Sequence, residues 1–154
     1  MTLISVVVTA LAFDFTTGFT TPAMRWLRDR DGRVFAPARV IAADPARCVQ
    51  TVQPLAGALH TRVRLDPAFS AGGYAAQPKR AFRRFGVLAR SGDNVVVCSQ
   101  GEVIPDLLAR LAQEHGLRLP SLDTRNGGMW ALSFARGRLL VADYFADYFA
   151  DSRA

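Results

Sequence analysis

The chain has 154 residues, half of them hydrophobic and 21% charged. That excludes a disordered or fibrous protein and leaves room for one domain, residues 1–154, with a buried core. Basic residues outnumber acidic ones 19 to 13, a formal charge of +6; a solvated basic surface is the simpler reading, an anionic partner the sharper one.

Leu3 to Thr9 reads as a buried first strand. Ala10-Leu11-Ala12 mimics a signal cleavage site, but no positive segment precedes it. No stretch is long enough to span a membrane, so the expectation is a cytoplasmic protein. Asp14 to Pro22 is a loop, and Ala23 to Arg30 a short helix with Met24 and Leu27 inward. Ala38 to Ala43 is a second strand. Asp44-Pro45 then supplies a helix cap and a proline at the first helical position. That helix runs to about Leu59, with Val49, Val52, Leu55, Ala56 and Leu59 on its apolar face. Thr61 to Leu65 is a third strand and Asp66 to Gln77 a loop. Pro78 to Ala89 is a helix with Ala81, Phe82, Phe85 and Leu88 on one side.

The stretch Val95 to Leu111 has the clearest pattern. Val95-Val96-Val97 is a β-branched run of the kind that fills a buried strand. Ser99-Gln100-Gly101 breaks it, and Val103, Ile104, Leu107, Leu108 and Leu111 then recur at helical spacing. In an open α/β sheet, the turn after such a strand is where ligands bind. Gly116 ends this helix and Pro120 to Gly128 is a loop. Met129 to Phe134 and Arg138 to Asp143 form a hairpin around Ala135-Arg136-Gly137. A tandem Asp-Tyr-Phe-Ala closes the chain as a short duplication. The alternation of strands and helices predicts an α/β fold: a three-layer α/β/α sandwich with a mostly parallel sheet and a C-terminal β-hairpin.

Three segments carry a resemblance. Ala43 to Thr51 resembles the second arginine motif of the histidine phosphatase, or phosphoglycerate mutase-like, superfamily. Val96 to Leu107 and Gly127 to Ser133 narrow it to the phosphatase-like C-terminal domain of actinobacterial two-domain Nudix hydrolases. The match runs from about Arg39 to Tyr144. Residues 1–38 diverge, and no Nudix signature is present.

The resemblance implies a set of catalytic parts, and most are missing. The family attacks phosphorus with a histidine just after the first strand, in an Arg-His pair. Thr9-Ala10 stands there, and neither can serve in that way. The general acid falls in the loop after Pro67, where Ala71 or Gly72 takes its place. The second histidine falls at Gln100, which can hydrogen-bond a phosphate but carries neither charge nor proton. Asn126 occupies a place where relatives tend to have Lys. The chain has no histidine before His60, so no shift of alignment restores the nucleophile. His60 and His115 read as polar residues at helix C-termini.

What survives is Arg47, with the turn Ser99, Gln100 and Gly101, as a vestigial anion pocket at two helix N-termini. The expected function is therefore a degenerate, non-catalytic domain that binds a partner protein or a small phosphate-type anion. The alternative is a weak or altered phosphatase or nucleotide phosphohydrolase. No metal or cofactor is expected: Cys48 and Cys98 lack CxxC spacing and read as reduced, buried thiols. Lys79, Arg80, Arg83, Arg84 and Arg90 form a basic face without outward aromatics, which argues against nucleic acid. Phe13, Phe15, Phe19, Trp26 and Phe35 crowd one aperiodic segment. They suggest a contact with a second copy or another protein.

Overall fold

The computed structural model describes residues 4–10, 37–124 and 128–145, and for residues 4–10 the backbone only. The predicted helix at Ala23 to Arg30, the Phe-rich segment, Asn126 and the tandem tail beyond Phe145 lie outside the described residues.

The described elements are β1 (Ile4–Ala10), β2 (Arg39–Ala42), α1 (Ala46–Ala58), β3 (Val63–Leu65), a 3-10 turn (Pro67–Phe69), α2 (Ala71–Ala76), α3 (Pro78–Ala89), β4 (Val95–Ser99), α4 (Val103–His115), β5 (Met129–Ala135) and β6 (Arg138–Phe145). The strands form one six-stranded sheet in the order β3-β2-β4-β1-β5-β6. The first four in that order are mutually parallel. β5 and β6 continue the sheet antiparallel. The α/β class and the C-terminal hairpin are thus as the sequence pattern predicts.

β4 lies between β2 and β1, and all five of its side chains are buried. A strand buried on both faces needs helices on both faces, and this is why it reads as an unbroken apolar run rather than an alternation. α4 follows it with Val103, Ile104, Leu107, Leu108 and Leu111 all buried, the residues its spacing selects. Gly116 ends the helix in the left-handed conformation at φ 69°, where a glycine carries little strain. α1 buries Cys48, Thr51, Val52, Leu55 and Ala56 and tolerates Pro54 on its exposed side. Phe69, Phe85 and Phe134 chain through the core with ring centroids 6.4 and 6.2 Å apart.

Three local expectations are corrected. Asp66 to Gln77 is not a loop: it folds into the 3-10 turn and α2. Asp66 caps the first, its Oδ1 accepting from the Ala68 amide at 3.1 Å. Ser70 caps the second, accepting from the Gly73 amide at 3.0 Å. These caps act over two and three residues, too short a range for hydrophobic periodicity to register. Asp44 does not cap α1; Pro45 holds the N-cap position, with no side-chain bond to the helix. The hairpin turn is also tighter than expected. Ala135 pairs with Arg138, leaving Arg136 and Gly137 as a two-residue turn with φ of 52° and 76°.

Candidate functional site

β1, β2 and β4 end on one edge of the sheet. Thr9 pairs with Cys98 and Ala10 with Ser99, while Ala42 pairs with Cys98 from the other side. The chain leaves β2 through α1 toward β3. It leaves β4 through α4 toward β5, in the opposite direction across the sheet. A crevice at the carboxyl ends of strands whose connections diverge is the usual ligand position in an α/β sheet. Arg47, in the first turn of α1, and Ser99-Gln100-Gly101, before α4, flank that edge. The structure therefore brings the ends of β1 and β4 together as expected, with Thr9 and Ser99 on the same edge.

The turn after β4 is held by the segment that follows β3. Ser99 is fully buried, and its hydroxyl donates to the Phe69 carbonyl at 2.6 Å. Gln100 Oε1 accepts from the Ala71 amide at 2.7 Å. The Tyr74 hydroxyl donates to the Asp106 carboxylate on α4. Burial, and then the Asp106 bond, push the Tyr74 phenol up to about 12. Two of the positions marked as lost by the resemblance, Ala71 and Gln100, thus bond to each other. With Oε1 engaged, the Gln100 NH2 is the group left to meet a ligand, and it is a donor suited to an oxyanion. Gly72 beside them is exposed, and a Cβ there meets nothing within 4 Å.

Arg47 is exposed and part of its backbone is occupied: its carbonyl accepts from Thr51 Oγ1 at 2.7 Å. Cys48 and Cys98 lie buried under the edge. The two thiols lie side by side: Cys98 holds the Cys48 thiol down, while Cys48 and burial push the Cys98 thiol up. Asp44 and Glu102 act on the Cys48 thiol in the opposite direction through their charge. The sequence pattern assigns Asp44 to a helix cap and sets neither carboxylate against an anion. They stand directly beside the two candidate segments and oppose an anion there, which their proximity in sequence could have shown.

The remaining basic residues separate. Arg84 is not a free surface charge: its Nε donates to the buried Asp66 at 2.9 Å. Lys79, Arg80 and Arg83 are exposed on α3. His60 follows α1 and His115 ends α4, both at the opposite edge of the sheet. His115 packs edge-on against Phe134, whose strand position lies opposite Ile4 at the start of β1. Neither reaches the Arg47 edge. Among the described residues, no cluster of three or more His, Cys, Asp or Glu is placed to hold a metal. No described helix is long and apolar enough to cross a membrane.

This sheet order, with its parallel core and its crevice between β2 and β4, is the histidine phosphatase, or phosphoglycerate mutase-like, fold. The protein histidine phosphatase SixA complexed with tungstate superposes with a TM-score of 0.69 at 15% identity, covering 96% of this chain and 99% of that one. A phosphoglycerate mutase from Plasmodium falciparum gives 0.67 at 15% identity, covering 96% and 92%. By sequence, an 8-oxo-(d)GTP phosphatase of Mycolicibacterium smegmatis is 36% identical over 112 residues. That match spans 73% of this chain but only 35% of the relative's length. No family model matches the chain.

Proposed function

We propose that this domain binds a small phosphate-type anion at the Arg47–Gln100 edge, or a partner protein, without forming a phosphohistidine. One observation carries the reading: the position implied for the second histidine is Gln100, bonded to the backbone where the general acid would stand. The first 59 residues, moreover, contain no histidine to act as nucleophile. A guanidinium, a carboxamide NH2 and the N-termini of α1 and α4 remain, and all favour an oxyanion. That a neighbour of the same fold was solved with tungstate, itself an oxyanion, supports this choice of ligand class. Asp44 and Glu102 weaken the field, so affinity for inorganic phosphate is on the order of millimolar, about 4 kcal/mol, and falls with added salt.

Phosphate titration followed by amide NMR tests this. Shifts at Arg47, Gln100 and Gly101 that disappear in Arg47→Ala are expected. A spectrum unchanged at saturating phosphate removes the anion site and leaves a protein partner as the reading.

The second reading is an altered phosphatase or nucleotide phosphohydrolase, favoured by the name of the mycobacterial relative. Assays with 8-oxo-dGTP and p-nitrophenyl phosphate separate the two. Turnover abolished by Arg47→Ala overturns the non-catalytic proposal. The cytoplasmic setting, and an association with Nudix domains as in actinobacterial two-domain hydrolases, belong to the same proposal. The short share of the relative's length that the match spans supports the latter.

A further inference from the structure

A cleft of about 560 Å³ opens on the other edge of the sheet, between the end of α4 and the β5–β6 turn. It is lined by Glu114, His115, Gly116, Arg136, Gly137 and Arg138. Arg136 and Arg138 are exposed, and neither is ion-paired among the described residues. Arg136 sits at φ 52° in the tight turn. Asn, Asp and Gly suit that position at lower cost than a long side chain. Gly137 also leaves room for Arg90: a Cβ there would stand 2.9 Å from the Arg90 Cγ. Arg90 therefore reaches the turn from the end of α3.

We propose that this cleft binds a small molecule bearing a phosphate or pyrophosphate group, held between the Arg136 and Arg138 guanidinia. The depression is open to solvent, so recognition rests on the guanidinia rather than on enclosure. Planar guanidinia matched to oxyanions supply the recognition, beside the mostly buried imidazole of His115. The opposing charges are the Glu114 carboxylate, 3.8 Å from His115 Nε2, and the carbonyl ends of α3 and α4. They lower the affinity for any anion; a phosphate or pyrophosphate offers enough oxygens to engage both guanidinia at once, which a single carboxylate does not. The site shares no residue with the Arg47 edge, so the two proposals stand or fall separately.

The test titrates the isotopically labelled full chain with inorganic pyrophosphate, with glutarate as the carboxylate comparator. Pyrophosphate is expected to shift the amides of His115, Gly116, Arg136, Gly137 and Arg138. Binding at this edge should persist in Arg47→Ala and weaken about tenfold or more in the folded double variant Arg136→Ser with Arg138→Ser. If that variant does not fold, charge reversal at Arg138→Glu alone gives the same readout. Shifts confined to Arg47 and Gln100, shifts unaltered by loss of the arginines, or an equal response to glutarate would each overturn the proposal. So would an unchanged spectrum, which would mean that these arginines serve the helix C-termini and the solvent.

Discussion

Ser99 shows how far a polar residue can be bound into the fold while standing in a candidate site. Its hydroxyl is buried and donates to the Phe69 carbonyl at 2.6 Å. Ser99→Ala leaves that carbonyl without its partner and is expected to lower stability by about 1–3 kcal/mol, read from the urea midpoint at constant slope. Tyr74 gives a pH dependence of definite sign. Its folded pKa of about 12 lies above the ordinary phenol value, so the folded state favours the protonated form. That contribution is complete below about pH 10, the unfolded value, and is lost as pH rises through 12. Denaturation midpoints from pH 8 to 12 should fall in the native chain. In Tyr74→Phe the alkaline part of that fall should be reduced, at a cost of about 1 kcal/mol at neutral pH. A pH profile identical to that of the native chain would show that the phenol does not carry it.

At the scale of elements, α2 is the piece that closes the Gln100 turn. Its placement depends on one glycine. A Cβ on Gly73 would come 2.0 Å from the Pro67 carbonyl oxygen, a backbone atom that cannot swing away. Gly73→Ala should therefore push α2 off the 3-10 turn and cost about 2–3 kcal/mol, within the usual range for overpacking. The Ala71 amide, bonded to Gln100, should shift with it. Gly72→Ala is the matched comparison: nothing lies within 4 Å of the added methyl, and helix propensity alone should stabilise by up to about 1 kcal/mol. Thermal or urea unfolding of the pair distinguishes close packing from propensity. Equal effects would mean that α2 is not seated against Pro67.

For the molecule as a whole, some of the charge on the described residues gathers at the two ends of the parallel strands. Arg47 stands with Asp44 and Glu102 near the carboxyl ends of the parallel strands, while Arg90, Arg136, Arg138 and His115 gather at their amino ends. The helices run from the first edge to the second, so their C-termini are neutralised by the larger basic group. Association is the other property of this scale. The five aromatics from Phe13 to Phe35 are proposed as the contact for a second copy, and light scattering at high concentration should then give the mass of a dimer. Phe15→Ser with Phe19→Ser should reduce it to that of one chain. A single-chain mass for the native protein at the highest soluble concentration counts against this contact.

The sequence by itself determined the elements whose side chains repeat. The valine run of β4 is visible because it is buried on both faces, and the i, i+3, i+4 spacing of α4 because one face of that helix is buried. It also determined what the site lacks, since a missing histidine is missing in any fold. Tertiary structure decided the rest. The caps at Asp66 and Ser70 turned a predicted loop into a 3-10 turn and a helix, through hydrogen bonds that no periodicity encodes. The bond between Gln100 and Ala71 joins residues 29 apart, and the thiol of Cys48 on α1 meets that of Cys98 at the end of β4. The cleft beside Arg136 draws on α4 and the last hairpin. Such contacts depend on which strand lies beside which, and strand order is set by the packing of the whole sheet rather than by any local run of residues.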